Sequence, residues 1–432
     1  MKRIFLLAQV LLWMAYLPAP AQQLITLREC YDLASKSSPI TSEILVYDQI
    51  RQQKDKNLSK GWLPTIDASG SFIYNSSVID LTEAMGSLPV PGISDLISPM
   101  PHEQYKMTLE INQVIYDGGT IREAKSLEMA EFRAQEKQTE AELYKLKNQV
   151  NGYYFNILLL EKQEELLKTY RDLIQKRMTS IEAAIRNGVM LPTERDVLLS
   201  EKINLEQQLT ENSVQMAALQ KVLSDITGSN IDTTVRLVLP MAETSKIPPL
   251  TRPELQIFEL RKGQLDASIK LRESQRRPKV FGFATLGYGN PPGNNFFKDE
   301  FASFAIVGAG IRWNIYDWDK TSGEIQVIDY QKSLADIRKA DLSAQLNRLL
   351  ETKMSEIKNL EARLETDSDL IEIRKRITQA AGSRFENGVI TATEFMHELN
   401  AEKQAVINQE INRVRLALSK VEYLNISGKE IN

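Results

Sequence analysis

The chain has 432 residues, with 53 Lys and Arg against 57 Asp and Glu, two His and a single Cys, for a formal charge of −4. A mildly acidic balance with no basic block excludes a nucleic-acid partner. One cysteine, Cys30, excludes an internal disulfide.

Residues 1–21 read as a secretory signal peptide: Lys2 and Arg3, an apolar run from Ile4 to Leu17, then the small-x-small site Ala19-Pro20-Ala21. The mature protein is expected to begin near Gln22. That run is shorter than the roughly 20 apolar residues a membrane helix needs, and no later stretch reaches such a length without charges. Cys30 lies well past the cleavage site, so it cannot carry a lipid on the new N-terminus. Anchoring has to come from elsewhere.

The remainder is a duplicated unit. Asn187-Gly188-Val189 with Thr193-Glu194 recurs as Asn387-Gly388-Val389 with Thr393-Glu394, an offset of 200 residues. Ile115-Tyr116-Asp117 recurs as Ile315-Tyr316-Asp317 and Ile226-x-Gly228 as Ile426-x-Gly428 at the same offset. Upstream, Pro39 pairs with Pro253 and Pro64 with Pro278 at an offset of 214, so the first copy carries 14 extra residues in its Pro-rich stretch. The expected organisation is a first repeat over 22–228, a connector over 229–251, a second repeat over 252–428 and a short tail over 429–432.

Within each repeat the pattern predicts a helix, a β-hairpin (65–115 and 279–315), a long helix (120–187 and 321–387) and a return helix (193–227 and 393–426). From Tyr105 to Asn112, Tyr105, Met107, Leu109 and Ile111 alternate with Lys106, Thr108, Glu110 and Asn112, the period of a strand with one apolar face. Ile66 to Tyr74 alternates similarly. In the second copy, 280–288 and 301–315 are richer in Phe, Gly and Ala, and alternation is weaker. Prolines 89, 91, 99 and 101, and Pro291 and Pro292, suit exposed hairpin loops. Pro64, Tyr116, Asp117, Pro278, Tyr316 and Asp317 mark where the chain approaches and leaves the hairpins. Thr120-x-x-Glu123 and Thr321-x-x-Glu324 are candidate capping boxes.

No proline interrupts the roughly 67 residues from there to each Asn-Gly pair, enough for a helix of roughly 100 Å. Leu146, Tyr153, Leu160, Leu167, Ile174 and Ile181 fall at seven-residue steps, with Val150, Ile157, Met178 and Ile185 beside them. Heptads of this kind call for coiled-coil partners. Asn187-Gly188 and Asn387-Gly388 read as helix stops, because glycine tolerates the left-handed conformation. Thr391-x-x-Glu394 can cap the second return helix, whereas Leu191 stands at the first.

Four strands cannot close a barrel, and only a closed barrel satisfies every backbone group in lipid. Several chains must therefore share one barrel. Together these features resemble the TolC-like outer-membrane efflux protein family over nearly all of the mature chain: the duplication, a proline before each hairpin, and the Asn-Gly-Val turn followed by Thr-Glu. The resemblance implies a homotrimer with a 12-stranded β-barrel in the outer membrane and a periplasmic α-helical tunnel. It also implies partners: a periplasmic adaptor meeting the tips, and an inner-membrane pump. The tip residues Asn187, Gly188, Val189, Thr193, Glu194, Asn387, Gly388, Val389, Thr393 and Glu394 are then the docking candidates. Members of the family often carry an acidic ring inside the tunnel; here the corresponding stretch has Arg374, Lys375, Arg376 and Gln379, read either as a solvated helix face or as a constriction.

Catalytic chemistry is poorly represented. His102 and His397 lack a second His or Cys at ligand spacing, and Asp117-Gly118-Gly119-Thr120 lacks the spacing and Lys of a phosphate loop. No cofactor and no enzymatic activity are expected. The alternatives are a periplasmic coiled-coil scaffold without a pore, disfavoured by the apolar strand face, and a secreted hydrolase, disfavoured by the absence of a nucleophile or metal motif.

Overall fold

The computed structural model describes residues 23–79, 100–232, 234–243, 249–295 and 298–431. The predicted signal segment 1–21 and the loop prolines Pro89, Pro91 and Pro99 lie outside the described residues. In chain order the elements are β1 (Gln23–Ile25), α1 (Leu27–Ser37), α2 (Thr41–Ser59), β2 (Thr65–Tyr74), β3 (Glu103–Tyr116), α3 (Thr120–Arg186), α4 (Pro192–Thr227), β4 (Val235–Leu237), α5 (Pro253–Gln275), β5 (Lys279–Asn290), β6 (Ala302–Arg312), α6 (Lys320–Glu386) and α7 (Ala392–Ser427). Contacts sort them into two units, one of Leu45–Glu136 with Ile257–Arg338, the other of Lys137–Gln256 and Lys339–Asn432 with the N-terminal stretch to Ile44. Among the described residues no helix is long and apolar enough to cross a membrane.

The first unit holds a four-stranded antiparallel sheet in the order β2-β3-β5-β6. Lys54–Glu128 (2.8 Å) and Lys125–Asp55 (3.2 Å) bridge α2 to α3, while Lys262–Asp336 (2.8 Å) and Lys332–Asp266 (2.7 Å) bridge α5 to α6. Exposed pairs of this kind stabilise little. Their value is register: in both copies the partner number falls as the first rises, so each short helix runs antiparallel to its long neighbour.

The weak alternation of the second hairpin has a packing explanation. Phe283 faces Gly308 across β5 and β6, Phe281 faces Gly310, and Phe304 faces Gly287. A Cβ on Gly308 would lie 2.6 Å from Phe283 Cζ, and one on Gly310 would lie 2.7 Å from Phe281 Cζ. Each ring therefore lies over its opposite glycine, covering backbone that would otherwise be bare.

At the joints the two candidate capping boxes do not form. Thr120 already lies inside α3 and Thr321 inside α6. Asp117 caps instead, its carboxylate accepting from the amides of Gly119 (2.7 Å) and Ile121 (2.6 Å), while Asp317 accepts from the amide of Thr321 (3.1 Å) and from its hydroxyl. Two successive left-handed residues turn the chain between cap and helix. In the first copy they are Gly118 (φ 71°) and Gly119 (φ 88°); in the second they are Trp318 (φ 56°) and Asp319 (φ 58°). A left-handed residue with a Cβ costs roughly 1–2 kcal/mol, so the second joint is strained where the first is not. β6 also ends at Arg312, short of the expected Ile315: the Trp313 indole N–H turns away to donate to the Arg276 carbonyl at 3.0 Å.

The second unit packs α3 and α4 with α6 and α7 around two buried clusters. Val150, Tyr154, Ile157, Leu223, Val414 and Val421 belong to one, together with Cys30 and the parallel pair β1–β4. Leu167, Ile174, Ile181, Leu198, Leu205, Phe385, Phe395 and Leu399 belong to the other. The heptad row read from sequence thus runs through both, although Leu146, Tyr153 and Leu160 are only half buried. Cross-links confirm antiparallel return: Asn212 Nδ2 donates to the Leu160 carbonyl (2.9 Å), Asn412 Nδ2 to Asp367 (2.7 Å), and Thr378 Oγ1 to the Glu398 carbonyl (3.2 Å). Tyr154, fully buried, donates to the Val238 carbonyl (2.7 Å) and accepts from the Val238 amide (3.0 Å), tying the β4 end to α3.

One half-buried acid is out of balance. Glu161 on α3 is pushed up to about 7, mainly by burial, with Glu164 adding to the shift and Arg236 and Lys162 opposing it. Its ordinary value is 4.5, so between about 4.5 and 7 the folded protein holds more proton than the unfolded chain, and stability falls as pH rises through that window. Glu161→Gln is expected to raise the thermal midpoint relative to the parent at pH 8 and to leave it nearly unchanged at pH 4. Equal shifts at both pH values would refute the titration.

Candidate functional site

Two surfaces carry the features picked out in the sequence. On the sheet, pairing aligns the side chains in rows. Ala68, Leu109, Leu286 and Ala305 stand opposite one another across the four strands, as do Ile66, Ile111, Ala284 and Val307. Both rows lie on one face, and each is apolar across all four strands. The other face carries Asp67, Glu110, Thr285 and Ile306 in one row and Ser69, Thr108, Gly287 and Phe304 in the next. A register shift at Ile115 returns Tyr116 to the apolar face opposite Val280.

Aromatic residues collect at the two ends of this sheet. At the loop end, Phe72 and Tyr105 have ring centroids 4.9 Å apart, and Phe301 lies 5.7 Å from Tyr105 and 5.9 Å from Tyr288. At the helix-connected end are Trp62, Tyr116, Trp313, and the pair Tyr316 and Trp318 at 5.0 Å. Tyr105 to Tyr116 spans roughly 37 Å at 3.4 Å per residue. With the usual strand tilt of roughly 40° this covers about 28 Å, close to the apolar band of a membrane barrel. Among the described residues, the outer strands β2 and β6 each have one edge without a partner. Pro64 and Pro278 immediately precede β2 and β5, and Asp117 and Asp317 cap the helices that follow the hairpins.

The second surface is the pair of helical turns. Gly188 (φ 70°) and Gly388 (φ 67°) are left-handed, and each closes its helix with two bonds: Gly188 N–H to Ile185 and Val189 N–H to Ala184, Gly388 N–H to Phe385 and Val389 N–H to Arg384. That is the Schellman pattern. Asn187 and Asn387 are exposed beside them, and Val189 and Val389 are each 70% exposed, leaving two apolar residues facing outward.

The two turns differ at the next helix. Thr391 caps α7 with Glu394 in a reciprocal box, while Leu191 gives α4 no side-chain cap. The unused Glu194 reaches across instead, its carboxylate accepting from the Ala392 amide at 2.5 Å. One copy's acid thus serves the other copy's helix start. Thr193 and Thr393 are exposed. Sequence reasoning found Glu194 by its repeat position but not this partner, which depends on two segments 198 positions apart.

Of the basic group, Arg374 pairs with Glu398 at 3.4 Å, while Lys375, Arg376 and Gln379 are exposed. Glu386 is bridged by Arg177 of α3, whose guanidinium also lies 5.7 Å from the Phe395 ring centre. The strained joint at Trp318 was missed. Its signal lay in the offset of 200, which sets Trp318-Asp319 against Gly118-Gly119.

The family model described as outer membrane efflux protein matches residues 49–224 and 250–420. Among solved structures, the chain is similar to the Campylobacter jejuni CmeC outer membrane channel (16% identity, 93% of this chain and 85% of that one, TM-score 0.61). It is also similar to the open-state Neisseria gonorrhoeae MtrE outer membrane channel (15%, 94% and 89%, TM-score 0.64). The Vibrio cholerae outer membrane protein VceC matches at 14% identity over 92% and 96%, with a TM-score of 0.61. A search of curated protein sequences finds no match.

Proposed function

From the premise that this chain belongs to the outer membrane efflux protein family and is an outer-membrane channel of the TolC-like kind, we propose that it serves as the passive exit duct of a tripartite export assembly. The observation that carries this is the sheet: four strands, with rows apolar across all four on one face and, among the described residues, two bare edges. An open sheet cannot stand in lipid, where each unpaired backbone group costs several kcal/mol. Three copies joined edge to edge supply a closed 12-stranded barrel. Cargo would arrive from an inner-membrane pump through a periplasmic adaptor, and the chain itself would catalyse no reaction. Lys375, Arg376 and Gln379 are the exposed candidates for a constriction in the helical part of the duct.

Light scattering of the detergent-extracted protein tests the assembly. A trimer with no folded monomer is expected; a well-folded monomer in mild detergent would remove the barrel argument.

The turns at Asn187 to Glu194 and Asn387 to Glu394 are proposed as the adaptor contact, with Val189 and Val389 as its apolar centre. Nothing lies within 4 Å of a Cβ added at Gly188 or Gly388. Gly188→Asp and Gly388→Asp therefore meet only the left-handed penalty, on the order of 1 kcal/mol. Assembly and channel conductance should persist while export in cells falls, because a charge is placed where an apolar contact has to close. Failure of both variants to assemble would make the turns folding elements rather than a docking surface.

A further inference from the structure

The two hairpins share one register but carry opposite chemistry on the same face. In the first copy Asp67 pairs with Glu110, Ser69 with Thr108 and Ile73 with Gln104. The repeat offsets carry these pairs onto Phe281 with Gly310, Phe283 with Gly308 and Gly287 with Phe304, and those are the pairs found across β5 and β6. Strand pairing does not need the rings. The first copy closes the equivalent positions with polar side chains, the Ser69 and Thr108 hydroxyls lying 2.8 Å apart. Nor does the position demand glycine, since Thr108 stands where Gly308 does in the second copy. Ring and glycine are together an addition of the second hairpin.

This face lies opposite the apolar rows, so on the barrel reading it lines the lumen, a surface that is ordinarily polar. Phe281, Phe283 and Phe304 are half-buried. Each leans across its facing glycine, with one side of the ring on backbone and the other open. The rings tile part of a wet wall with π surface, and clustered apolar area left open to water marks a contact with something else.

Charge on this face is divided in the same way. Among the described residues its carboxylates, Asp67 and Glu110, belong to the first hairpin. The second hairpin carries Lys279 and Arg312, opposite one another, and no acid on this face. The Arg312 guanidinium lies 5.6 Å from the Phe281 ring centre, and the Lys106 ammonium of β3 lies 5.6 Å from that of Phe304. Among the described residues neither cation is bridged to a carboxylate. A molecule joining a planar ring to a negative charge would answer both features. An aromatic cation would find the ring faces already taken and like charge beside them.

We propose that the lumen face of the second hairpin is a cargo-recognition strip for aromatic anions, whose rings stack on Phe281, Phe283 and Phe304 while their acidic groups meet Arg312, Lys279 or Lys106. This rests on the barrel reading and adds the chemical class of the cargo.

The test uses the full-length exported protein in nanodiscs of phosphatidylethanolamine and phosphatidylglycerol, with binding read by saturation-transfer NMR against empty discs. The probes are naphthalene-2-sulfonate, decalin-2-sulfonate, which keeps the ring skeleton without π electrons, and trimethyl(2-naphthyl)ammonium. Naphthalene-2-sulfonate should bind at least about fivefold more tightly than either of the others, the factor that one aromatic pair supplies. One variant gives the second copy the residues of the first: Phe283→Ser with Gly308→Thr, and Gly287→Ile with Phe304→Gln. It should keep its heat-resistant oligomer and lose most of the preference for naphthalene over decalin. Arg312→Gln with Lys106→Gln should lose the preference for anion over cation. If the parent binds the naphthalene and decalin sulfonates equally, the aromatic strip is overturned while the barrel stands. Equal binding of the ammonium probe would overturn the choice of anions. An exchanged variant that assembles and binds like the parent would also overturn the strip; should it fail to assemble, the three probes on the parent decide alone. A parent that enters nanodiscs without forming an oligomer would remove the barrel reading and this proposal with it.

Discussion

Arginine at Leu109 or Leu286 is expected to abolish stable insertion of the sheet, while arginine at Thr285 is expected to be tolerated. Leu109 and Leu286 are opposite one another at the middle of β3 and β5, in a row that is apolar across all four strands. Thr285 is one residue from Leu286 but on the other face, opposite Glu110. A lipid-facing arginine near the bilayer midplane costs about 2–4 kcal/mol. The cost recurs in every chain of an assembly that cannot close without all of its strands. Heat-resistant oligomer on a gel and membrane retention after reconstitution measure the outcome. Equal tolerance of Leu286→Arg and Thr285→Arg would mean that the two faces are not lipid and lumen, and the assignment of the sheet would fall.

Phe385→Ala is expected to be the most damaging single truncation near the helical turns, at about 3–5 kcal/mol, the usual range for removing a buried Phe. Phe385 and Phe395 are each 1% exposed, and their rings stack with centroids 5.4 Å apart, joining α6 to α7 just before and after the second turn. Leu198, Leu399 and Ala392 share the cluster, so a cavity there loosens the starts of both return helices. Val389→Ala, only a few residues away but exposed, should change stability by no more than about 0.5 kcal/mol. Hydrogen exchange of the α6–α7 turn, with denaturant midpoints for both variants, separates the two. If Phe385→Ala proves as mild as Val389→Ala, the stacked pair is not what holds the turn, and the Arg177–Glu386 bridge becomes the stronger candidate.

Local periodicity determined a great deal of this protein. A period of two over Tyr105 to Asn112 marked the apolar strand face, because alternate side chains of a pleated strand share a side whatever they pack against. A seven-residue period marked the helix row through Leu167, Ile174 and Ile181, and the Asn-Gly pairs marked the stops, because only glycine takes a left-handed cap without penalty. The repeat offsets paired the joints and the turns before any contact was known.

Tertiary structure decided what depended on partners distant in sequence. Phe281, Phe283 and Phe304 blurred the alternation of the second hairpin, since each ring's meaning comes from a glycine on the opposite strand. The helix caps moved from Thr120 and Thr321 to Asp117 and Asp317, because a double left-handed turn brings those carboxylates back onto the first amides of the helices. Glu194 found the Ala392 amide, and Arg374 found Glu398, only once the helices were laid side by side. Trp318 shows the division most sharply: its alignment with Gly118 was visible in the sequence, but its left-handed backbone exists only in the folded chain.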